Sequence, residues 1–164
     1  MKADTLYQID REIHEGFNLT MMKPFNLEAA HIYGVEVFPG ERPMMIPVAE
    51  HPDIYTMLDS SSVAEDISPY TMFAIVTTGW AAPIEDVADV EDGLPPSKHP
   101  KRRRVRVLML VDQETDQIMS SLRFGDSDDV IYNEEREGAG SLMDAVESLM
   151  RTAKKHKRGR NLND

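Results

Sequence analysis

The chain has no cysteine among its 164 residues and no apolar run long enough to cross a membrane. Without cysteine it forms no disulfide, thiol nucleophile or cysteine-ligated zinc site. A membrane-spanning helix requires about 20 consecutive apolar residues, and the polar N-terminus lacks the basic and apolar regions of a secretory signal. These absences predict a cytoplasmic protein with no membrane partner.

Motifs for catalysis and metal binding are also missing. The five histidines are scattered without an HExxH pattern, no Gly-x-Ser-x-Gly motif marks a nucleophile, and the acidic runs do not follow the spacing of a calcium loop. We therefore predict no catalytic residue, no metal and no cofactor, and we favour a non-enzymatic protein over an enzyme. A metal-ligand set of distant residues, such as His31 with Glu36, is an alternative that spacing leaves open.

The charged residues, in contrast, are abundant and strongly segregated. The formal net charge is −11, but residues 1–97 contain four bases against seventeen acids, whereas residues 98–164 contain fourteen bases against twelve acids. Six bases occupy Lys98–Arg106, directly after the acids of Glu85–Asp92, and six more occupy Arg151–Arg160. An acidic body disfavours general adhesion to nucleic acid, so we expect specific contacts at the two basic segments.

The first basic segment leads into an apolar strand and supplies the candidate ligand-binding residues Arg104, Arg106 and Arg123. Guanidinium groups held on neighbouring strands bind phosphate or carboxylate bidentately. The competing interpretation is that the arginines pair with the acids of Glu85–Asp92 as ordinary surface ion pairs. The first interpretation predicts an enzyme or binding domain for an anionic ligand, and the second a purely structural role.

The hydrophobic periodicity predicts an α+β protein with an antiparallel sheet of four to five strands and a helix at each end of the chain. The predicted elements are a helix at 4–15 stopped by Gly16, strands at 29–38, 71–81, 103–112, 117–124 and 130–132, an edge strand or irregular piece at 44–46, a short helix through Met57 and Leu58, a loop at 60–69, and a helix from Ser141. We expect a two-layer or α/β/α sandwich, with both terminal helices on one face. One domain then covers residues 1–156, with a long charged connection at 83–101 and a disordered basic tail at 157–164.

A contact surface for another protein is the leading functional hypothesis. Met44 and Met45 lie between prolines, and methionine side chains make adaptable contacts. With Trp80, Arg102 and Arg103 they form the predicted interaction surface of a homodimer or of a complex with a different protein. Attachment to nucleic acid through the basic tail is a weaker alternative.

Three short runs in the C-terminal half, at 77–83, His99–Arg106 and Ser120–Phe124, resemble a family of small, uncharacterised actinobacterial proteins. The resemblance rests on non-catalytic residues and implies no activity, substrate or cofactor. The sequence as a whole thus predicts a small, non-catalytic bacterial protein that acts through protein–protein contact.

Overall fold

A computed structural model describes residues 3–81, 98, 100–134 and 141–163 of the chain. These residues form four helices and six strands: α1 (Ala3–Thr20), β1 (Ala30–Glu36), β2 (Met44–His51), α2 (Ile54–Leu58), α3 (Ser61–Ile67), β3 (Met72–Ala81), β4 (Arg103–Asp112), β5 (Gln117–Phe124), β6 (Val130–Asn133) and α4 (Ser141–Asn163). The acids of Glu85–Asp92, and the connection at 83–101 apart from residues 98, 100 and 101, lie outside the described residues.

All six strands belong to one antiparallel sheet with the order β2-β1-β3-β4-β5-β6. The predicted α+β class with an antiparallel sheet is therefore confirmed, while the predicted number of four to five strands was too low. The sixth strand is β2, which continues through Pro47 to His51. Proline is tolerated there because β2 is an edge strand and because Pro47 lies next to a register shift in its pairing with β1.

Helices cover both faces of the sheet. Along β3, Phe73 and Ile75 pack into a core with α2, α3 and α4, whereas Ala74 and Val76 pack against α1 on the opposite face. The fold is an α/β/α sandwich, and the expectation that both terminal helices share one face was wrong. The central strands are apolar on both sides, so each face needs its own covering layer.

Two helices differ from the prediction because tertiary burial outweighs local signals. The first, α1, continues past Gly16, which has open space around it, and buries Phe17. Burying a phenylalanine contributes about 1.5–3 kcal/mol, which exceeds the roughly 1 kcal/mol that a glycine costs in a helix. The second, α3, replaces the predicted loop at 60–69, since the Ser60 side chain caps it by accepting from the Val63 N–H and its inner face is buried.

The last helix, α4, continues to Asn163 through residues that we expected to be a disordered tail. Lysine and arginine have high helix propensity, and their charge is favourable at a helix C-terminus. Buried Val146, Leu149 and Ala153 fix the first part of α4 on the sheet. The basic residues then extend the same helix.

Candidate functional site

The three candidate ligand-binding arginines lie on one face of the sheet, the face that α1 covers. Arg106 on β4 is directly opposite Arg123 on β5, and Arg104 is opposite Trp80 on β3. Strand alternation places Arg104 and Arg106 on the same side. The structure thus brings the predicted arginines together, and the question becomes what their guanidinium groups bind.

Arg104 and Arg106 hold the connection between α1 and β1. The Arg104 Nε donates to the Phe25 carbonyl at 2.7 Å, and its Nη2 donates to the side-chain oxygens of Asn26 and Thr78. Arg106 donates to the Pro24 carbonyl at 2.9 Å. The chain's own backbone therefore occupies the position in which an anionic ligand was predicted.

Arg123 belongs to a buried cluster around Asp10, a residue of α1 that is only 3 % exposed. The Asp10 carboxylate accepts from Arg123 Nε at 2.9 Å, and a terminal nitrogen of Arg123 forms an ion pair with the same oxygen at 2.7 Å. It also accepts from Ser121 Oγ at 2.7 Å and from the Tyr132 hydroxyl at 2.8 Å. Three hydrogen bonds and the ion pair with Arg123 compensate the desolvation of this carboxylate, so the cluster fixes α1 to β5 and β6.

Arg106 is also 3 % exposed, and no described carboxylate forms an ion pair with it. Its second hydrogen bond is to Nδ1 of His14 at 2.7 Å, and its guanidinium lies over the rings of Phe17 and Phe25. Burial, with a smaller contribution from Arg123, lowers the pKa of Arg106 to about 10. The guanidinium is still charged at neutral pH, and it is surrounded by neutral acceptors and aromatic rings.

Sequence reasoning missed Asp10 and His14, although the sequence carries a signal for them. Leu6, Ile9, Ile13 and Phe17 define the apolar stripe of α1, and Asp10 lies within that stripe, four residues after Leu6 and three before Ile13. An acid in the apolar stripe of a helix requires a buried partner. The partners of Asp10 lie 111 to 122 positions away in the chain. The pattern therefore indicates that Asp10 needs buried partners, but it does not identify them.

Arg103 points to the opposite face of the sheet and pairs with the turn after β5. Its guanidinium donates to Asp126 at 2.6 Å and lies 3.9 Å from the ring centroid of Phe124. This hydrogen bond lowers the pKa of Asp126 and raises the pKa of Arg103. The pairing with Glu85–Asp92 involves residues outside the described part of the chain, and it stays a prediction.

The predicted interaction residues do not form one surface. Met44 of β2 pairs with the end of β1 that lies next to Met72, the first residue of β3. Trp80 lies near the other end of β3, about 27 Å from Met72 along the strand. Trp80 is 39 % exposed, and the guanidiniums of Arg102 and Arg104 each lie 4.8 Å from its ring centroid. Met45 packs against the core beneath α1 rather than facing solvent.

Exposed apolar side chains are concentrated in the β1–β2 hairpin. Val37 and Phe38 are each 45 % exposed and Met44 is 51 % exposed; we call these three residues the hairpin patch. A depression of about 680 Å³ between this hairpin and α1 is lined mainly by charged residues, including Arg11, Glu12, Glu15, Glu41 and Arg42. Glu41 and Arg42 of this lining lie between Phe38 and Met44 in the hairpin, so exposed charged residues border the hairpin patch along the chain.

A second depression, of about 770 Å³, lies beside the segment 21–29 and the end of β2. His31 is near it, with Nδ1 3.4 Å from a Glu50 carboxylate oxygen. Glu36, the other ligand of the metal alternative, is five residues further along β1 and therefore on the opposite face from His31. Within the described ranges, no group of three or more histidine or acidic side chains is arranged to hold a metal ion.

The exposed face of α4 carries a basic stripe. Arg151, Lys155 and Arg158 are all exposed and are spaced at i, i+4 and i+7, which places them along one side of the helix. The neighbouring Lys154 differs from them, because it contacts Asp116 in the β4–β5 turn. Positive charge therefore faces solvent over the last turns of α4 for which side chains are described.

No protein-family model matches the sequence, and comparisons with curated proteins and with solved structures found no similar protein. The resemblance to small actinobacterial proteins accordingly stays a prediction. No helix in the described part of the chain is long and apolar enough to span a membrane.

Proposed function

We propose that the protein is a non-catalytic cytoplasmic protein that acts through contact with another protein or with a second copy of itself, and that the hairpin patch makes this contact. The observation that supports it is the exposure of Val37, Phe38 and Met44 within one hairpin. Apolar side chains with a charged border are typical of the contact surfaces of proteins.

The position of the patch at the end of the paired strands β1 and β2 favours it over other exposed apolar residues. Glu36 of β1 and Met44 of β2 are directly opposite each other at the base of the hairpin. Met44 is held by this strand ladder and therefore loses little conformational freedom on binding, which reduces the entropic cost of association. Val37 and Phe38 lie in the loop directly after β1. Leu19, in the last turn of α1, and Met22, just after it, are also exposed and lie at the other end of the sheet.

The proposal is tested with the double variant Phe38→Ser/Met44→Ser. We expect the wild-type chain either to have a mass above its 18.6 kDa monomer mass by light scattering at physiological salt, or to retain a partner protein in a pull-down. The double variant should have the monomer mass and should retain no partner. Substitutions of exposed residues typically change stability by less than about 0.5 kcal/mol, so the variant should remain folded by circular dichroism.

The matched control is Leu19→Ser/Met22→Ser, which also removes two exposed apolar side chains. It should keep the wild-type mass or partner. A wild-type chain that is monomeric and without a partner would contradict the proposal. So would an association that the control variant abolishes and the hairpin variant preserves.

A second candidate function is attachment to nucleic acid, favoured by the basic stripe Arg151, Lys155 and Arg158. Bases spaced one helical turn apart on an exposed face can each contact a phosphate. The triple variant with glutamine at these positions removes three potential phosphate contacts. If the stripe binds duplex DNA, the slope of log K against log salt should become less steep by roughly 2.7.

The matched control removes three other exposed bases, at Arg11, Lys23 and Arg42, and changes the net charge equally. A salt-dependent affinity that decreases equally in both triple variants would indicate an effect of overall charge. That result would contradict a specific role of α4, as would the absence of DNA binding by the wild-type chain.

A further inference from the structure

We propose that His14 is an acid-sensitive latch: its neutral imidazole holds Arg106 and thereby keeps the segment 21–27 on the sheet, and its protonation releases that segment. The segment 21–27, which joins α1 to β1, is called the connection below. The inference is independent of the function proposed above.

The hydrogen bond between His14 and Arg106 defines the protonation state of the imidazole. Arg106 has donors only, so His14 Nδ1, at 2.7 Å, is the acceptor and carries no proton. The proton of the neutral ring is then on Nε2. The side-chain amide of Asn18 lies 3.3 Å from Nε2, and with its oxygen turned towards the ring it accepts this proton.

The charges around His14 make a second proton unfavourable. On β4 and β5 the ring faces the guanidiniums of Arg106 and Arg123, and on its own helix it faces Asp10 and Glu15. The Asp10 carboxylate is already bonded to Arg123. The neutral ring therefore lies beside the buried guanidinium of Arg106, the half-buried guanidinium of Arg123 and one buried anion that is already paired, and its protonation would add a third cation.

Burial, Arg123 and Arg106 lower the pKa of His14 from its ordinary value of 6.5, and Asp10 and Glu15 oppose this shift only in part. The native state thus prefers the neutral ring. The resulting stabilisation is fully present above pH 6.5 and is lost as the pH falls from 6.5 towards the lower native pKa. His14 is partly exposed, so a proton reaches it without unfolding of the domain.

Protonation of His14 affects the connection because Arg106 is bonded both to His14 and to the Pro24 carbonyl of the connection. A protonated His14 no longer accepts from Arg106, which leaves a buried guanidinium with the Pro24 carbonyl as its only remaining hydrogen-bond partner among the described residues. An unsatisfied buried donor is costly. Moving the connection away from the sheet relieves both this cost and the repulsion between cations.

The rest of the sandwich does not depend on the bond between His14 and Arg106. The connection is otherwise held by Arg104 at Phe25 and by the Thr78 hydroxyl, which accepts from the Leu27 N–H at 3.2 Å. The core beneath α2, α3 and α4 lies on the other face of the sheet. We therefore expect a local opening of the last turns of α1 and the connection, with the domain still folded.

The latch is tested by hydrogen exchange of the full chain between about pH 7.5 and 5, with the rates corrected for intrinsic exchange. Ordinary carboxylates titrate below this pH range, so they do not contribute to the result. In peptides covering residues 14–29, the opening constant should rise about tenfold per pH unit below 6.5, until the native pKa is reached. Peptides from α4 should show no such rise. A flat profile for residues 14–29 would overturn the proposal.

The variant His14→Gln keeps an oxygen that accepts from Arg106 and cannot be protonated, so it should show no pH-dependent opening in this range. The control His156→Gln, on the other face of the sheet beside Ser61, should retain the wild-type profile. A wild-type profile in the His14→Gln variant would overturn the latch. Should that variant not fold, an NMR titration of the wild-type imidazoles decides, because a His14 pKa at or above 6.5 would contradict the proposal.

Discussion

Replacing Asp10 by asparagine tests the idea that one buried carboxylate fixes α1 to the sheet. The side chains of Asp10 and Arg123 are 5 % and 17 % exposed, and the carboxylate accepts three hydrogen bonds and forms an ion pair with Arg123. Asparagine has nearly the same shape, but it has no charge and only one acceptor oxygen. Its amide nitrogen would face a guanidinium or a hydroxyl that also donates.

The magnitude follows from the burial of the pair. Removing one partner of a buried ion pair costs about 3–5 kcal/mol, because the other charge stays buried without compensation. In this protein the uncompensated guanidinium of Arg123 would also lie beside that of Arg106. For a domain of this size, the loss corresponds to a decrease in Tm of roughly 6–20 °C.

Urea unfolding followed by circular dichroism and by the fluorescence of Trp80 measures this loss, and the m value should not change. The control is Asp126→Asn, which removes the exposed partner of Arg103; its side chain is 56 % exposed. We expect a much smaller loss for the control because solvent screens that pair. Equal losses in the two variants would refute a special role for the Asp10 cluster.

Two further substitutions test the packing of the sheet and the role of the arginines. Gly34→Ala should destabilise the protein by about 1–3 kcal/mol in the same urea assay, because a Cβ at Gly34 would lie 2.5 Å from the ring of Tyr70. The control Gly79→Ala should be tolerated, because a Cβ at Gly79 would have no atom within 4 Å. Arg104→Met should cost about 1–3 kcal/mol by leaving the Phe25 carbonyl without its donor. Inorganic phosphate should raise the Tm of neither the wild-type chain nor this variant; a rise seen only in the wild-type chain would instead support the anionic-ligand hypothesis.

The central strands were predictable from the sequence because their local signals agree with their environment. The observed bounds of β4 and β5 are those predicted, 103–112 and 117–124, since the valine-rich run of β4 and the partly apolar run of β5 are separated by a short polar turn. The elements at the edge were less predictable. Pro47 argues against a strand in the sequence, and only the position of β2 at the edge of the sheet makes it compatible with one.

The candidate site was predictable only in part. The alternation of strand residues correctly indicated that Arg104 and Arg106 share a face. It did not indicate that the connection would fill that face, because the hydrogen bonds from Arg104 to Phe25 and from Arg106 to Pro24 span 79 and 82 positions. Contacts at such separations depend on which side of the sheet α1 covers, and no local pattern specifies this.

The location of Asp10 near the start of the chain also sets an order of events during synthesis. The hydroxyl of Tyr132, which completes its hydrogen bonds, is made 122 positions later. At about 5–20 residues per second, the ribosome needs roughly 6–24 s to cover that interval. Throughout this time α1 carries an acid in its apolar stripe without the groups that will neutralise it, so α1, although made before the strands that it covers, is among the last elements to find its final place.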